Sequence, residues 1–540
     1  LNMAINDAAG NIPCVLMSKD AWDLLANAET KPLTVTGKSD SFQIAKTMSD
    51  FSSWGPAPDL SLKPEITGVG GNIYSTRDTP TGYGNMSGTS MATPQVTGAM
   101  TVLMQYLRSK GYSNQDMWTM ATNILMSTAD PIDVPGSTGL KYSPRLQGAG
   151  LVNLVKATTV DAYLSSTSNS MGRAKAELGD STEGTFSFEF SVTNFSDESK
   201  TYTFDSDVQT ETATDGFIAG TPYLLESKVK GSQDSVTVAA GETVTLTATI
   251  TLTEADKEYI NSRFENGMYV EGYLYLEGAD NQNLTMPFLG YYGDWSKPPV
   301  FDNPDYNEAS LYGTGVFTMI AQLGTNPYLR GGASGDEYNA FSYANPLMEL
   351  DFGMLRSARK LVFRVNNTET GEEYFNYVHE YATKSYYNSS YGQIFPFYIY
   401  NATTDEEYVW NGYDKDGNQL PDGTTITYTV EAYVDDGDDV VDDSFSFQAS
   451  LDNQKPQLLN ADNLQDSLKV ENGQINLTLK LQDNANLAAI LFVSPDGSVI
   501  SKFAPKPDDG SEYVAGKRFE QTFNVAGYGA DFTIVLGDYA

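Results

Sequence analysis

Hydrophobic residues first follow a helical spacing along the chain. At 91–107 apolar side chains occupy nearly every face of a helix, which predicts a helix buried in a core and ended at 110–111. A second helix is expected after Ser113, a good N-cap residue, towards 130–131. A third is expected over 151–163. This part of the chain is therefore predicted to contain buried helices.

After about residue 165 the hydrophobic spacing changes to the alternation of β-strands. The clearest alternating segments are 186–192, 244–252, 426–432 and 475–481. Turn signals such as Asp416-Gly417 separate segments of this kind. Several short strands at this spacing predict a series of β-sandwich domains, each of roughly 100–150 residues.

The charge of the chain excludes one class of partner. Its 540 residues include 33 Lys and Arg against 70 Asp and Glu, a formal net charge of −37. Such a surface repels phosphate backbones, so no nucleic-acid partner is expected. The best apolar run, 487–493, is as long as a strand and far shorter than the ~18 residues of a membrane span. No membrane span is expected in this chain.

Two residue types occur once each. Cys14 alone cannot form a disulfide framework or a cysteine zinc site within the chain. His379 alone excludes any site that needs two imidazoles from this chain. A role for His379 as a catalytic base is far less favoured than a structural or surface role. Asp50 and Asp59 are expected to cap turns rather than to orient a histidine.

The segment with candidate chemistry is Gly88-Thr89-Ser90, at the start of the first predicted helix. A serine in this position lies where unpaired backbone N–H groups and the positive end of the helix dipole converge. An oxyanion that forms beside Ser90 would be stabilised there, partly by the N–H of Ser90 itself. Taken alone, the segment fits a simple N-cap serine better than a nucleophile.

Further motifs before and after Ser90 favour the nucleophile over the simple N-cap. They follow in order along the chain: Phe51-Ser52-Ser53-Trp54-Gly55-Pro56, Leu62-Lys63-Pro64-Glu65, Gly70-Gly71-Asn72, Ser87-Gly88-Thr89-Ser90-Met91-Ala92-Thr93-Pro94 and Gly148-Ala149-Gly150. Together, at about 45–163, they resemble the C-terminal half of the catalytic domain of subtilisin-like serine proteases. Gln95 departs from the family, many members of which have histidine there.

The flanking segments resemble one group of these proteases. Residues 1–36 are similar to the end of a protease-associated insert domain. The segments 286–295 and 410–423 resemble parts of fibronectin-type-III-like domains in cell-envelope subtilases. The chain is thus similar to the group that contains lactocepin and the streptococcal complement peptidase, which implies an extracellular or bacterial cell-envelope location.

The resemblance implies a role for two residues and the absence of others. Ser90 would be the nucleophile of a Ser-His-Asp triad that hydrolyses peptide bonds in proteins, and Thr89 would support the oxyanion hole. The family's Asp, His and oxyanion Asn should precede the insert domain. We therefore expect the chain to be a piece of a secreted endopeptidase that is inactive alone and needs an N-terminal segment of the same protease as partner. No cofactor is required for the chemistry.

The fold class implied by the resemblance is a partial α/β subtilase core, with a parallel sheet and buried helices, followed by all-β fibronectin-type-III-like sandwiches. The expected domains are an insert-domain end at 1–36, the C-terminal part of the catalytic domain at 37–163, and sandwiches at 164–300, 301–451 and 452–540, the last of them truncated.

Two alternatives stay open. The sandwiches could form a catalytically silent stalk for adhesion or substrate binding, although the intact motif around Ser90 argues against a decayed protease. A calcium loop is conceivable at Asp414, Asp416, Asn418 and Asp422, or in the acidic run 435–443. The spacing of the first set favours a hairpin turn, and the acidic run is better explained as a solvated loop. No metal is assigned to the catalytic site.

Overall fold

The computed structural model describes residues 46–78, 82–137, 139–214, 217–303, 310–312, 314–318, 328–330, 340–343, 349–388, 393–395, 410, 412–435, 439–484 and 487–538. The expected insert-domain end at 1–36, with its strand at 13–17, its helix at 20–27 and Cys14, lies outside these residues. The described residues from 47 onwards belong to one compact unit.

The first part of the described chain contains two long helices, two single-turn helices and one hairpin. The elements are β1 (Ile73–Thr76), β2 (Tyr83–Met86), α1 (Thr89–Ser109), α2 (Asn114–Ser127), α3 (Pro144–Gln147) and α4 (Leu154–Ala157). The first two predicted helices are confirmed as α1 and α2, and Lys110 is the C-cap of α1. β1 and β2 pair antiparallel. The parallel sheet expected at 37–163 is not seen among the described residues of that range and stays a prediction.

The third predicted helix is wrong. α4 is a single turn, capped by the Asn153 side chain, and the chain then enters strand β3 (Ala162–Ser166). Thr158 and Thr159 follow α4; both are β-branched, and each hydroxyl donates to a carbonyl one turn earlier. Alternate residues of β3 are buried in a sheet, and this burial outweighs the helical spacing of the sequence.

The predicted burial of α1 on all sides is also wrong. Only one face is buried, at Ala99, Leu103 and Leu107, whereas Val102 is 45% exposed. The main packing partners of α1 among the described residues are α2 and α4, which cover that one face. The spacing of apolar residues predicts burial of the other face of α1 as well, but nothing in the described part of the chain covers that face.

The first β-sandwich has two antiparallel-rich sheets. One has the strand order β3-β5-β10-β8, and the other β4-β12-β11-β6-β7, with β9 paired to β6. The added strands are β4 (Ala176–Ser181), β5 (Thr185–Asn194), β6 (Lys200–Thr214), β7 (Phe217–Leu224), β8 (Val229–Gly231), β9 (Ser235–Val238), β10 (Thr243–Thr251), β11 (Met268–Gly278) and β12 (Leu284–Tyr292), and the helix is α5 (Glu254–Asn261). The alternation at 186–192 and 244–252 is confirmed as β5 and β10, which pair antiparallel.

A second group of sheets follows. A five-stranded sheet has the order β15-β22-β21-β17-β18, beside smaller sheets β14-β13-β16 and β19-β20. Its strands are β13 (Thr314–Thr318), β14 (Tyr328–Arg330), β15 (Ala340–Phe341), β16 (Glu349–Phe352), β17 (Ala358–Asn367), β18 (Glu373–Ala382), β19 (Tyr386–Asn388), β20 (Gln393–Phe395), β21 (Thr425–Tyr433) and β22 (Asp443–Leu451). β21 confirms the alternation predicted at 426–432.

The last two sheets are smaller. β25 pairs with β23, β24 and β28, and β26 lies between β27 and β29. The strands are β23 (Gln457–Leu458), β24 (Leu468–Glu471), β25 (Gln474–Gln482), β26 (Leu487–Val493), β27 (Val499–Phe503), β28 (Phe519–Asn524) and β29 (Thr533–Asp538). The described chain is thus mostly strands, as the sequence predicts. The expected domain boundaries themselves stay predictions.

The helical part and the first sandwich share one hydrophobic core. Met126, Ala129 and Ala149 belong to the same buried cluster as Phe190 and Phe288 of the sandwich. The two parts are therefore held together by apolar burial, the dominant favourable term in folding. None of the helices in the described chain is both long enough and apolar enough to cross a bilayer.

Candidate active site

Ser90 is the second residue of α1, and its side chain is exposed. The N-cap residue is Gly88, whose φ of 154° is unfavourable for residues that carry a Cβ. The Gly88 N–H donates to the carbonyl of Gly70 at 2.9 Å. Among the described residues, the Ser90 hydroxyl has no hydrogen-bond partner. The structure therefore presents Ser90 at an accessible turn between hairpin and helix.

The start of α1 has an uncompensated positive end. No acidic residue lies in its first turn, and no side chain caps its N-terminus. The Met91 N–H donates to the Gly88 carbonyl at 3.0 Å, whereas no described group accepts from the N–H of Ser90. Unpaired N–H groups and the helix dipole stabilise negative charge. A negatively charged oxygen close to Ser90 would therefore be favoured.

Two glycines let a neighbouring segment pass directly under this helix start. A Cβ on Gly70 would lie 2.7 Å from the Gly88 carbonyl oxygen, and one on Gly68 would lie 2.9 Å from the Ala92 carbonyl oxygen. The segment 68–70 therefore packs directly against the turn that carries Ser90 and fixes the position of its backbone.

Hairpin β1–β2 leads into this turn and stands out from the surface. Tyr74 and Tyr83 stack with ring centroids 5.9 Å apart, although they are 70% and 56% exposed. The N–H of Asn72 donates to the Ser87 hydroxyl at 2.8 Å, which ties the base of the hairpin to the turn. An exposed aromatic pair is a surface suited to contact with another polypeptide.

The glycine motif at 148–150 crosses two other chain segments. A Cβ on Gly148 would lie 2.4 Å from the Glu65 carbonyl carbon, and one on Gly150 would lie 2.5 Å from the Asp130 carbonyl carbon. The Ala149 N–H donates to the Glu65 carbonyl at 3.0 Å, and Leu151 bridges both Thr67 and Asp130. The motif at 148–150 and the segments around residues 65 and 130 are far apart in the sequence but lie together in space.

Beneath these segments lies a buried ionic cluster that the sequence did not reveal. Arg145 of α3 is 4% exposed; it bonds Glu211 of β6 and donates from Nε to Glu271 of β11 at 2.9 Å. Its guanidinium also lies 3.9 Å from the centre of the Tyr269 ring. Burial raises the pKa of Glu211. Because these partners lie 66 and 126 residues away, no local motif could have indicated them.

The other candidate residues do not assemble around Ser90. The Thr89 carbonyl accepts from the Thr93 hydroxyl at 3.0 Å. Asp59 caps a turn by accepting from the Ser61 N–H, as predicted. His379 lies on β18, paired with Leu361 of β17, and burial lowers its pKa. No histidine or carboxylate among the described residues bonds the Ser90 hydroxyl.

The predicted acidic loops are engaged in local bonds. Asp414 accepts from the backbone N–H groups of Asp416 and Asn418 at 2.9 and 2.7 Å, so the favoured hairpin turn is confirmed there. In the acidic run, Asp443 accepts from the N–H of Val300 and Phe301, and residues 436–438 lie outside the described chain. A different acidic cluster, Asp452, Asp483 and Asp538, was missed because its members are far apart in the sequence.

Comparison with known proteins identifies two family segments. Residues 5–151 match the model of the subtilase family, and residues 176–289 match that of an Fn3-like domain. The resemblance of the chain to subtilases with fibronectin-type-III-like domains is confirmed.

Individual relatives cover much of this chain but little of their own length. A PI-type proteinase of Lactococcus lactis subsp. cremoris is 31% identical over 81% of this chain and 24% of its own length. A PIII-type proteinase from strain SK11 of the same subspecies is 35% identical over 54% of this chain and 15% of its own. A C5a peptidase of Streptococcus pyogenes is 24% identical over 83% of this chain and 43% of its own. The chain therefore spans less than half the length of these relatives.

Proposed function

We propose that this chain, with its subtilase segment and Fn3-like domain, is a fragment of a secreted subtilisin-like serine endopeptidase that cleaves peptide bonds in proteins. Ser90 is the nucleophile in this proposal. The single observation that supports it most is an exposed hydroxyl, free of hydrogen bonds among the described residues, at the uncapped start of α1. The domain bounds set out above belong to the same proposal.

The chemistry assigned to Ser90 is acyl transfer. Its Oγ attacks the carbonyl carbon of the scissile amide while a histidine from the preceding segment takes the hydroxyl proton. The amide oxygen becomes an oxyanion, which the N–H of Ser90 and an asparagine amide stabilise. The C–N bond then breaks, the amine leaves with the proton from histidine, and water releases the acyl group from Ser90 by the same steps. Thr89, beside the nucleophile, supports the oxyanion hole.

The proposal includes a partner, because no described residue serves as a base for Ser90. Without its histidine, a serine protease of this kind loses several orders of magnitude in rate. We therefore propose that the chain alone is inactive and becomes competent with an N-terminal segment of the same protease that carries the Asp, His and Asn. An extracellular or cell-envelope location belongs to the same proposal.

The test is labelling by a fluorophosphonate, which reacts only with an activated serine. We expect stoichiometric labelling of Ser90 when the N-terminal segment of the same protease is present, and labelling reduced by at least about 1,000-fold when it is absent. Ser90→Ala should remove the labelling. The matched control is Ser109→Ala, at the other exposed end of α1, which should leave it unchanged.

Two outcomes would contradict the proposal in different ways. Labelling of the chain alone that Ser90→Ala abolishes would show that the missing base is not needed. No labelling in either state, with both polypeptides folded and associated, would favour the catalytically silent stalk for adhesion or substrate binding.

A further inference from the structure

Three carboxylates from three different sheets meet beside the chain segment that joins β22 to β23. Asp452 follows β22, Asp483 follows β25, and Asp538 is the last residue of β29. Each offers one carboxylate oxygen, and these oxygens all lie within 4.8 Å of one another. We call this group the three-aspartate cluster. Like charges so close repel strongly unless something neutralises them.

The hydrogen bonds of the cluster leave its inner oxygens without partners. Asp483 is 2% exposed, and neither of its carboxylate oxygens has a hydrogen bond of normal geometry. Asp452 is 4% exposed; its Oδ1 accepts from the Gln454 N–H at 2.9 Å and from the Asn484 amide at 2.7 Å, whereas its Oδ2 has no partner. Buried carboxylate oxygens are almost always satisfied, so these vacant acceptors require an explanation.

No positive side chain explains them. Among the described residues, no lysine or arginine pairs with Asp452 or Asp483. Asp483 is therefore costly to keep ionised in the absence of a cation.

We infer that the three-aspartate cluster is a structural calcium site. Carboxylate oxygens are hard ligands that suit Ca²⁺, which binds them at about 2.3–2.6 Å and completes its shell with carbonyl groups and water. Two ligands on opposite sides of Ca²⁺ are thus about 4.6–5.2 Å apart, and on opposite sides of Mg²⁺ only about 4.2 Å. The spacing within 4.8 Å fits one calcium shell.

The site would act as a clamp between sheets. Asp452 begins the connection from the five-stranded sheet of β22 to the last two sheets, and its N–H donates to the Phe341 carbonyl of β15 at 2.8 Å. A cation held jointly by Asp452, Asp483 and Asp538 fixes the ends of β22, β25 and β29 relative to one another. This inference is independent of catalysis at Ser90, and it differs from the loop at Asp414, whose oxygens are used in a turn.

The test compares calcium binding by the full chain and by Asp483→Asn, which keeps the shape of the side chain and removes its charge. We expect isothermal titration calorimetry to find one site of the wild type that Asp483→Asn weakens by about 100-fold or more. With EDTA, Asp483→Asn should have the higher melting temperature, because one buried charge is gone. At about 1 mM CaCl₂ the wild type should gain about 5 °C or more, and the variant should gain less than about 1 °C.

The matched control is Asp531→Asn, an exposed aspartate just before β29. It should bind calcium and respond to it as the wild type does. MgCl₂ at the same concentration should raise the wild-type melting temperature less than CaCl₂ does. A wild type that does not bind calcium would overturn the inference, and so would an Asp483→Asn variant that keeps the calcium response.

Discussion

Glycines, rather than polar partners, set the position of the Ser90 hydroxyl. Gly88 takes a backbone conformation that other residues avoid, and Gly70 allows the segment below to touch it. The sequence motif contains Gly88 two residues before Ser90, so the importance of Gly88 could be predicted. The role of Gly70 could not, because it depends on contact with a carbonyl 18 positions further along the chain (88 − 70 = 18).

A pair of glycine substitutions tests this close approach. Gly70→Ala places a methyl group 2.7 Å from the Gly88 carbonyl oxygen, so one of the two segments must shift. We expect a loss of about 1–3 kcal/mol in the free energy of unfolding and at least about 10-fold slower labelling of Ser90 by fluorophosphonate in the presence of the N-terminal segment.

Gly98→Ala is the control for this prediction. Gly98 lies inside α1, and an added Cβ meets no atom within 4 Å. It should raise the free energy of unfolding of the chain alone by about 0.5–1 kcal/mol, because alanine is the better helix former. Urea unfolding followed by circular dichroism measures both variants. Equal effects of the same sign would contradict the close-packing argument.

Helices and strands with a strong local period could be predicted from the sequence, and those that depend on distant partners could not. β5 and β25 bury alternate residues, and α2 buries most of its hydrophobic side chains. The stretch expected as a helix at 151–163 instead ends as β3, because β5 offers it a place in a sheet. Where the hydrophobic spacing of a segment and its burial against other elements favour different secondary structures, burial decides.

The ion pairs of Arg145 connect α3 to two strands of the first sandwich. A buried arginine between two carboxylates leaves charge uncompensated as soon as it is removed. A surface arginine in a similar pair is screened by water and contributes little. Arg364 of β17 provides that comparison, since it pairs with Glu373 and Glu431 with its side chain 33% exposed, against 5% for Arg145.

We expect Arg145→Ala to lower the free energy of unfolding by about 3–5 kcal/mol and Arg364→Ala by about 1 kcal/mol or less. The larger loss arises because Glu211 and Glu271 remain buried without their cation. Urea unfolding followed by tryptophan fluorescence measures both variants, and Trp54 lies 5.6 Å from the Arg145 guanidinium. If Arg145→Ala lowers the free energy of unfolding no more than Arg364→Ala does, the ion pairs of Arg145 do not hold α3 to β6 and β11.

The molecule as a whole combines apolar interiors with a strongly acidic composition. One core runs from α2 through the first sandwich, and separate cores lie under the later sheets. The excess of 37 acidic over basic residues (70 − 33 = 37) could be counted from the sequence. The place where acidic residues cluster could not be predicted from the sequence, because Asp452, Asp483 and Asp538 meet only after three sheets have formed.

Self-repulsion of this charge makes the stability of the chain depend on salt. Charges on the surface interact over about 30 Å at 0.01 M salt and only about 8 Å at 0.15 M. With acidic residues in large excess, repulsion outweighs attraction at long range, so screening should stabilise the folded state. In EDTA, we expect the melting temperature to rise as NaCl is increased from about 0.01 to 0.15 M.

The same salt series separates this general effect from the proposed calcium site. Asp483→Asn should show the wild-type dependence on NaCl, because it changes one buried charge out of 70 acidic residues and salt screens buried groups weakly. At constant ionic strength, only the wild type should then respond to calcium. Differential scanning calorimetry of both proteins measures the two effects. A melting temperature that falls as NaCl rises would mean that local ion pairs such as Arg364 with Glu431 outweigh the net charge of the chain.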